Sequence, residues 1–421
     1  MARRLSEHHR TLRESEVFLQ DVTREGSFRV ALVYPNLYFV GMSNLGFQSV
    51  YQGLNALPDV LCERAFLPDD QDAEELERTG RPLGSFETGT PLRDFDALAF
   101  SVSFENDYLF VLKVLRLAGI PLRVRDRGPR DPIVILGGAA SFLNPEPLAP
   151  FADLIAVGEG EALVPPMMDA LLGASDPRAG LDALAPKDGF YVPSRYEVRY
   201  HGDGTVAAYD GPGPVVRQRG WPGKMALPQS IVLTPHTEMS MKFMVEISRG
   251  CPCMCRFCWA GYNYLPVRGF SREEIVGRAR QVRAHTNRIG LVSTAVCDHP
   301  EVDGIVDDLA ALDYEVSVAS LRLDDLTPGS KASSGALTVT VAGRGRKNLT
   351  LEASKDGARV LYVRLLGADG QAVAFFSPHI TTTPDGVWRF ELSPLSPAVR
   401  AEVILAGELD RKTYPFTLAL K

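Results

Sequence analysis

Four near-continuously apolar runs, FRVALVYPN (28–36), ALAFSVSF (97–104), IVILGGAA (133–140) and LIAVGEGE (154–161), set the tightest limit on how this 421-residue chain folds. A run without polar alternation reads as a strand covered on both faces, and these give way to Gly, Pro or Asn. Between them lie amphipathic segments. Phe47, Val50, Tyr51 and Leu54 mark one helix face, and Leu109, Leu112 and Leu115 another. Strand and helix in alternation predict an α/β domain with a parallel sheet: a Rossmann-like, doubly wound domain over residues 28–174, behind an N-terminal extension, 1–27. LGGAA and VGEGE place glycines at strand C-terminal ends, where such a sheet binds ligands. Tight strand-to-helix turns explain them equally well, and neither is the spaced dinucleotide fingerprint.

From about 175 to 240 the pattern loosens into repeated turns, GDG, DGPGPVV and GWPGK, and reads as a linker with irregular strands. Periodicity returns at Phe243. FMVEIS is a short buried strand, and SREEIVGRARQVRAH is a helix opened by a capping box of Ser271 and Glu274. RIGLVSTAV and EVSVASLRL are further strands, separated by the helix PEVDGIVDDLAALD. This register, over 241–328, is the start of a (β/α) barrel. GSKASSG, around 329–335, is a polar linker. Beyond it, 336–421 runs through short β-rich segments such as LTVTVA, RVLYVRLL and VWRFELS, the pattern of an all-β sandwich of immunoglobulin-like type.

The most unusual feature is EISRGCPCMCRFCWAGYNY (246–264). It holds Cys251, Cys253, Cys255 and Cys258, and the rest of the chain has only Cys62 and Cys297. Clustering this uneven is not a disulfide framework; in a reducing compartment it points to metal binding or redox chemistry. A cytoplasmic protein is expected, since the basic opening MARRLSEHHR leads into no apolar stretch of signal-peptide length and no window approaches a membrane span. A net charge of −7 argues against a nucleic-acid partner held by bulk electrostatics.

Three thiolates can hold three irons of a 4Fe-4S cluster and leave the fourth iron open to a small molecule. Cys251, Cys255 and Cys258 form C-x3-C-x2-C straight after a strand, close enough to converge on one cluster. A zinc site using all four cysteines is the competing reading, although structural zinc usually joins two knuckles well separated in sequence. Cys253 is expected to be a bystander to the cluster. Cys62 and Cys297 read as core or near-core thiols.

The C-x3-C-x2-C loop, with Phe257 before its last cysteine, resembles the radical S-adenosylmethionine (radical SAM) superfamily. RGCPCMCRFCWAGYNYLPVRGFSREEI, with VYPNLYFVGMSNLGFQSVY, PLRDFDALAFSVSFENDY and ILGGAASFLNPEPLAPFADLIAVGEGE, is similar to a branch that carries an N-terminal cobalamin-binding-like domain. The resemblance covers about residues 28–328. It implies a 4Fe-4S cluster on Cys251, Cys255 and Cys258, S-adenosylmethionine chelated to the open iron, and reductive cleavage to a 5'-deoxyadenosyl radical acting on a small-molecule or macromolecular substrate. It also implies an electron donor such as flavodoxin or ferredoxin, and cofactor contacts from Phe257, Ser293, Thr294 and Arg322. Arg322 serves equally well in a surface salt bridge, and Asp298 reads as the N-cap of the next helix, with Glu301 three residues on.

Two departures stand against that pattern. Cobalamin domains that bind through cobalt use the histidine of an Asp-x-His-x-x-Gly loop after the first strand, whereas the corresponding loop here is VGMSNLG and no histidine lies between His9 and His201. A corrinoid would therefore bind without a histidine on cobalt, or the domain serves as scaffold or substrate-recognition element. The barrel is also short: Phe243 to Pro328 leaves 86 residues, against about 250 for a complete one. Either a partner completes it, or a truncated enzyme has been joined to an unrelated segment. The function class that follows from truncation is an iron–sulfur binding or electron-transfer module without radical catalysis.

Overall fold

The computed structural model describes residues 3–22, 25–220, 226–253 and 255–318, together with the backbone of strand segments between 331 and 419. The chain divides into two units, Met1–Val245 and Glu246–Lys421.

The first unit is α/β. Its sheet contains β1 (Phe28–Tyr34), β2 (Val60–Phe66), β3 (Ala97–Ser101), β4 (Ile133–Gly137), β5 (Leu154–Ala156) and β6 (Phe190–Tyr191), in spatial order β2-β1-β3-β4-β5-β6. The first five strands are parallel and β6 runs antiparallel to β5. Alternate residues of β1 enter opposite cores, as the two-residue period of a strand requires. Val30, Leu32 and Tyr34 pack with Phe47, Tyr51 and Leu54 of α2 (Leu45–Asn55) and with Leu163, Met167 and Leu171 from the helix Gly160–Gly173. Ala31 and Val33 pack on the other face with Leu76 of the helix Asp70–Thr79 and with Val111, Val114 and Leu115 of the helix Tyr108–Leu117. Both faces are covered, which is why the strands read as unbroken apolar runs.

One sheet strand has no such run. β2 is VLCERAF, and its charged Glu63 and Arg64 hide it from a periodicity reading. Both side chains are buried and partnered. Arg64 makes ion pairs of 2.7 Å to Glu16 and 2.7 Å to Glu87, and Glu63 accepts hydrogen bonds from Ser85 (2.5 Å) and Thr88 (2.8 Å). Glu16 arrives from the N-terminal extension, whose helix α1 (Arg3–Glu14) buries Leu5 and Leu12.

The segment 175–240 contributes more regular structure than its turns suggest. It supplies the helix Pro177–Leu184, strand β6, an antiparallel hairpin of Glu197–Tyr200 with Val206–Asp210, and Val232–Leu233, which pairs with Val17–Phe18 of the extension. Gly158 (φ +151°) lies so close to the Gln218 backbone that an added Cβ would sit 2.6 Å from its carbonyl oxygen. Gly158 of VGEGE thus serves close chain packing.

In the second unit, β7 (Arg288–Val292) and β8 (Glu315–Val318) form a parallel pair with Arg288 opposite Glu315 and Leu291 opposite Val318. The helix Arg272–Val282 precedes β7, opened by the Ser271–Glu274 capping box, and the helix Val302–Ala311 joins the two strands. Among the described residues of 331–419, eight strands form two four-stranded antiparallel sheets, and every sheet neighbour of each strand lies within that segment. No helix among the described residues is long and apolar enough to cross a membrane.

Candidate metal centre

The cysteine loop is closed at its base by a two-residue antiparallel ladder, in which Ser248 faces Gly269 and Arg249 faces Arg268. Ile247 N–H donates to the Val292 carbonyl (3.0 Å), which sets the loop beside the C-terminal end of β7. Gly250 (φ +94°) starts it, and a Cβ there would lie 2.5 Å from the Tyr264 carbonyl oxygen, so only glycine lets both ends of the loop meet. Inside, Arg268 donates to the carbonyls of Pro266 (3.0 Å) and Tyr264 (3.2 Å), and the Trp259 and Tyr264 rings meet edge to face. Arg249 forms a bidentate pair with Glu246 at 2.7 and 2.6 Å.

Ser293 and Thr294, singled out as cofactor contacts, follow β7, and their hydroxyls reach this loop. Ser293 Oγ lies 2.8 Å from Ser248 Oγ, and Thr294 Oγ1 donates to the Gly250 carbonyl at 2.6 Å. Buried His299 Nε2 bonds the Phe270 carbonyl at 2.8 Å, while its Nδ1 accepts from Glu301 N–H at 3.2 Å. The loop is therefore held from both of its ends by the segment that follows β7. Phe257 is exposed. Arg322 lies outside the described residues.

Cys251, Cys253, Cys255 and Cys258 are free thiols, all half-buried. Cys258 N–H donates to the Cys255 carbonyl (2.9 Å), placing these two at the ends of one turn. Three thiols of this exposure on a fixed loop are a donor set suited to iron and inorganic sulfide, which must enter from solvent. Cys251 also has two near neighbours: its sulfur, that of Cys253 and a carboxylate oxygen of Asp298 lie within 4.8 Å of one another, with Cys251 Sγ 3.9 Å from Asp298 Oδ2. Burial, opposed by the Cys253 backbone N–H and reinforced by the charges of Cys253 and Asp298, pushes the Cys251 thiol up to about 11. Asp298 is not the expected helix cap. It ends a 3-10 turn, Val296–Asp298, and Glu301 occupies the N-cap position of Val302–Ala311. The Asp-x-x-Glu spacing mimicked a cap, and only the turn brings the carboxylate to the cysteines. Cys62 is fully buried and its thiol is pushed well up by burial; Cys297 is half-buried.

The first unit has a second place of interest. The order β2-β1-β3-β4-β5 has its switch point between β1 and β3, where doubly wound sheets bind ligands. Asn36 donates to Asp107 (2.9 Å) and Asn44 to Ser103 (3.1 Å) across it. Tyr34 and Asp107 are buried there, with the Tyr34 hydroxyl and Asp107 Oδ2 making no well-formed hydrogen bond among the described residues. Burial raises both groups above their usual values.

Residues 46–193 match the family model described as "Radical SAM proteins, N-terminal". An uncharacterised protein of Methanocaldococcus jannaschii, MJ0966, is 24% identical over 318 residues, 74% of this chain; the chain spans 60% of the length of that relative. Among solved structures, the radical S-adenosylmethionine methyltransferase TsrM from Kitasatospora setae, with cobalamin and a 4Fe-4S cluster bound, aligns at 12% identity, covering 68% of this chain and 50% of that one, with a TM-score of 0.36. BhCBM56, solved as a Br derivative, aligns at 21% identity over 22% of this chain and 99% of its own, with a TM-score of 0.17. Residues 46–193 are thus similar to the N-terminal domain of radical SAM proteins.

Proposed function

We propose that the protein is a radical SAM iron–sulfur enzyme in which Cys251, Cys255 and Cys258 hold a 4Fe-4S cluster. The observation that carries this is the closed cysteine loop set beside the end of β7, in a chain whose residues 46–193 match the radical SAM N-terminal family model. When bound, such a cluster supplies the electron that cleaves S-adenosylmethionine to a 5'-deoxyadenosyl radical. This chain's residues do the rest. Gly250 and the Ser248–Gly269 ladder close the loop, Ser293 and Thr294 hold its base, and the Glu246–Arg249 pair fixes the turn into it. Phe257, Arg322 and the segment 293–294 are the expected neighbours of the cofactor, and a flavodoxin- or ferredoxin-type protein the electron donor, in the cytoplasm.

A corrinoid in the first unit would lie at the β1/β3 switch point and would lack a histidine on cobalt, since the loops after both strands contain none. Asp107 Oδ2, buried without a well-formed hydrogen bond among the described residues, would offer it one instead. The sheets of 331–419 we read as a β-sandwich packed on itself. An iron–sulfur or electron-transfer module without radical chemistry is the second reading, favoured by the change from alternating strand and helix to consecutive antiparallel strands after β8.

Anaerobic reconstitution with iron and sulfide, followed by assay for 5'-deoxyadenosine with S-adenosylmethionine and a strong reductant, separates the two. Product formation supports the enzyme; a reducible cluster without product supports the module. Alanine at Cys251, Cys255 or Cys258 should abolish the cluster signature and at Cys253 should leave it. Cluster loss in the Cys253 variant alone would overturn the ligand assignment.

A further inference from the structure

Cys253 is surplus to the cluster triad, yet the fold places it in contact range of two other metal-binding groups. Cys251 Sγ, Cys253 Sγ and an Asp298 carboxylate oxygen lie within 4.8 Å of one another, and the Cys251–Asp298 separation is 3.9 Å. Tetrahedral zinc, with Zn–S near 2.3 Å and Zn–O near 2.0–2.2 Å, holds its donors roughly 3.5–3.8 Å apart. Side-chain movement of about 1 Å would therefore bring all three onto one ion. Cys255 and Cys258 fall outside this group. A cluster spreads its cysteines over separate irons, whereas a single ion gathers its donors, so the two sets differ in shape as well as membership.

We propose that, in the cluster-free protein, Cys251, Cys253 and Asp298 form a mononuclear site for a thiophilic divalent cation, zinc by chemistry, with solvent in the fourth position. Two thiolates and a carboxylate carry enough negative charge to neutralise the ion, and such a set binds zinc more tightly than ferrous iron. Binding displaces the thiol protons to solvent and involves no electron transfer. All three residues are half-buried, so the ion has an entry path. Asp298 comes from the turn after β7 and the cysteines from the loop, so the ion would tie the loop to that turn. Cys251 belongs to both donor sets, which makes zinc occupancy and cluster assembly mutually exclusive. That exclusion rests on the reading of Cys251 as a cluster ligand; the zinc site itself does not.

The full chain, freed of iron and zinc and reduced under anaerobic conditions, is titrated with cobalt(II) as the probe. The expected result is one cobalt per chain, with tetrahedral visible bands and a thiolate-to-metal charge-transfer band of two-thiolate intensity, displaced by zinc. Cys253→Ser and Asp298→Asn should each weaken binding at least about tenfold, a difference of about 1.4 kcal/mol, while Cys255→Ser and Cys258→Ser leave it unchanged. Unaltered circular dichroism in each variant keeps the comparison valid. Cobalt affinity that falls equally in the Cys255 or Cys258 variants, or that ignores Asp298→Asn, would overturn the site. Zinc loaded before reconstitution should block iron uptake in the wild type and not in Asp298→Asn. A chain that binds cobalt as described yet never assembles a cluster would sink the cluster reading and leave the zinc site standing.

Discussion

Arg64 is a fully buried cation in the middle of a sheet strand. A charged pair in the middle of VLCERAF argues against a buried strand, and only the arrival of Glu16 from the extension and Glu87 from a later loop makes burial of the guanidinium tolerable. Neither partner is close in sequence, so no local pattern announces them. Replacing Arg64 with Met should cost about 3–5 kcal/mol in urea denaturation, because two carboxylates stay buried without their cation. The same measurement on Arg116→Ala, whose pair with Glu77 is exposed, should show no resolvable change. His9 is a second test at this scale. Burial, helped by the charges of Arg13 and His8, pulls its imidazole down from 6.5 to about 3, and it packs against the Phe86 ring. The folded state then binds fewer protons than the unfolded one between those values. The contribution of His9 is whole above about pH 6.5 and is lost as pH falls toward 3, with a slope of up to about 1.4 kcal/mol per pH unit. His9→Gln, which does not titrate, should flatten that part of the stability profile; an identical slope in both proteins would remove His9 from the account.

At the scale of elements, the strands β1, β3, β4 and β5 and the capped helix Arg272–Val282 were legible because burial on two faces and a capping box both write themselves into contiguous residues. β6, at two residues, is too short to carry a period, and its place in the sheet depends on the helix before it. The cysteine loop falls between these cases. Its spacing was readable, but its closure by Ser248–Gly269 and its tether through Thr294 join residues that local reading keeps apart. Asp298 reads locally as a helix cap for the same reason, and only the turn Val296–Asp298 brings it to the cysteines. Closure makes a sharp demand on Gly250, since a side chain there meets the Tyr264 carbonyl and a non-glycine residue at positive φ costs about 1–2 kcal/mol besides. Gly250→Ala should retain the far-ultraviolet circular dichroism of the chain and lose most of its iron after reconstitution. Full iron content in that variant would mean that the loop need not close to hold metal.

For the molecule as a whole, the open question is whether residues 335–421 serve the cysteine loop. The sheet neighbours of the described strands between 331 and 419 all lie inside that segment, in two four-stranded antiparallel sheets. Runs such as LTVTV and WRFEL alternate, so each sheet has one face to bury, and a second sheet of the same segment can bury it. The segment has no cysteine and His379 is its only histidine, while Lys331–Ser334 of the expected linker GSKASSG is itself a sheet strand, paired antiparallel with Leu337–Thr340, because the chain folds back between them onto its neighbour. We therefore expect 335–421 to fold when expressed alone, and its deletion to leave cluster content and cluster lifetime in air unchanged. The opposing expectation follows from the short barrel: if these strands stand in for the missing barrel wall, removing them bares the loop to oxygen. Cluster absorbance followed in air for the chain with and without residues 335–421 measures the difference directly. Equal decay assigns the segment to a separate role, whereas markedly faster decay after deletion would make it part of the wall that keeps the cluster from solvent.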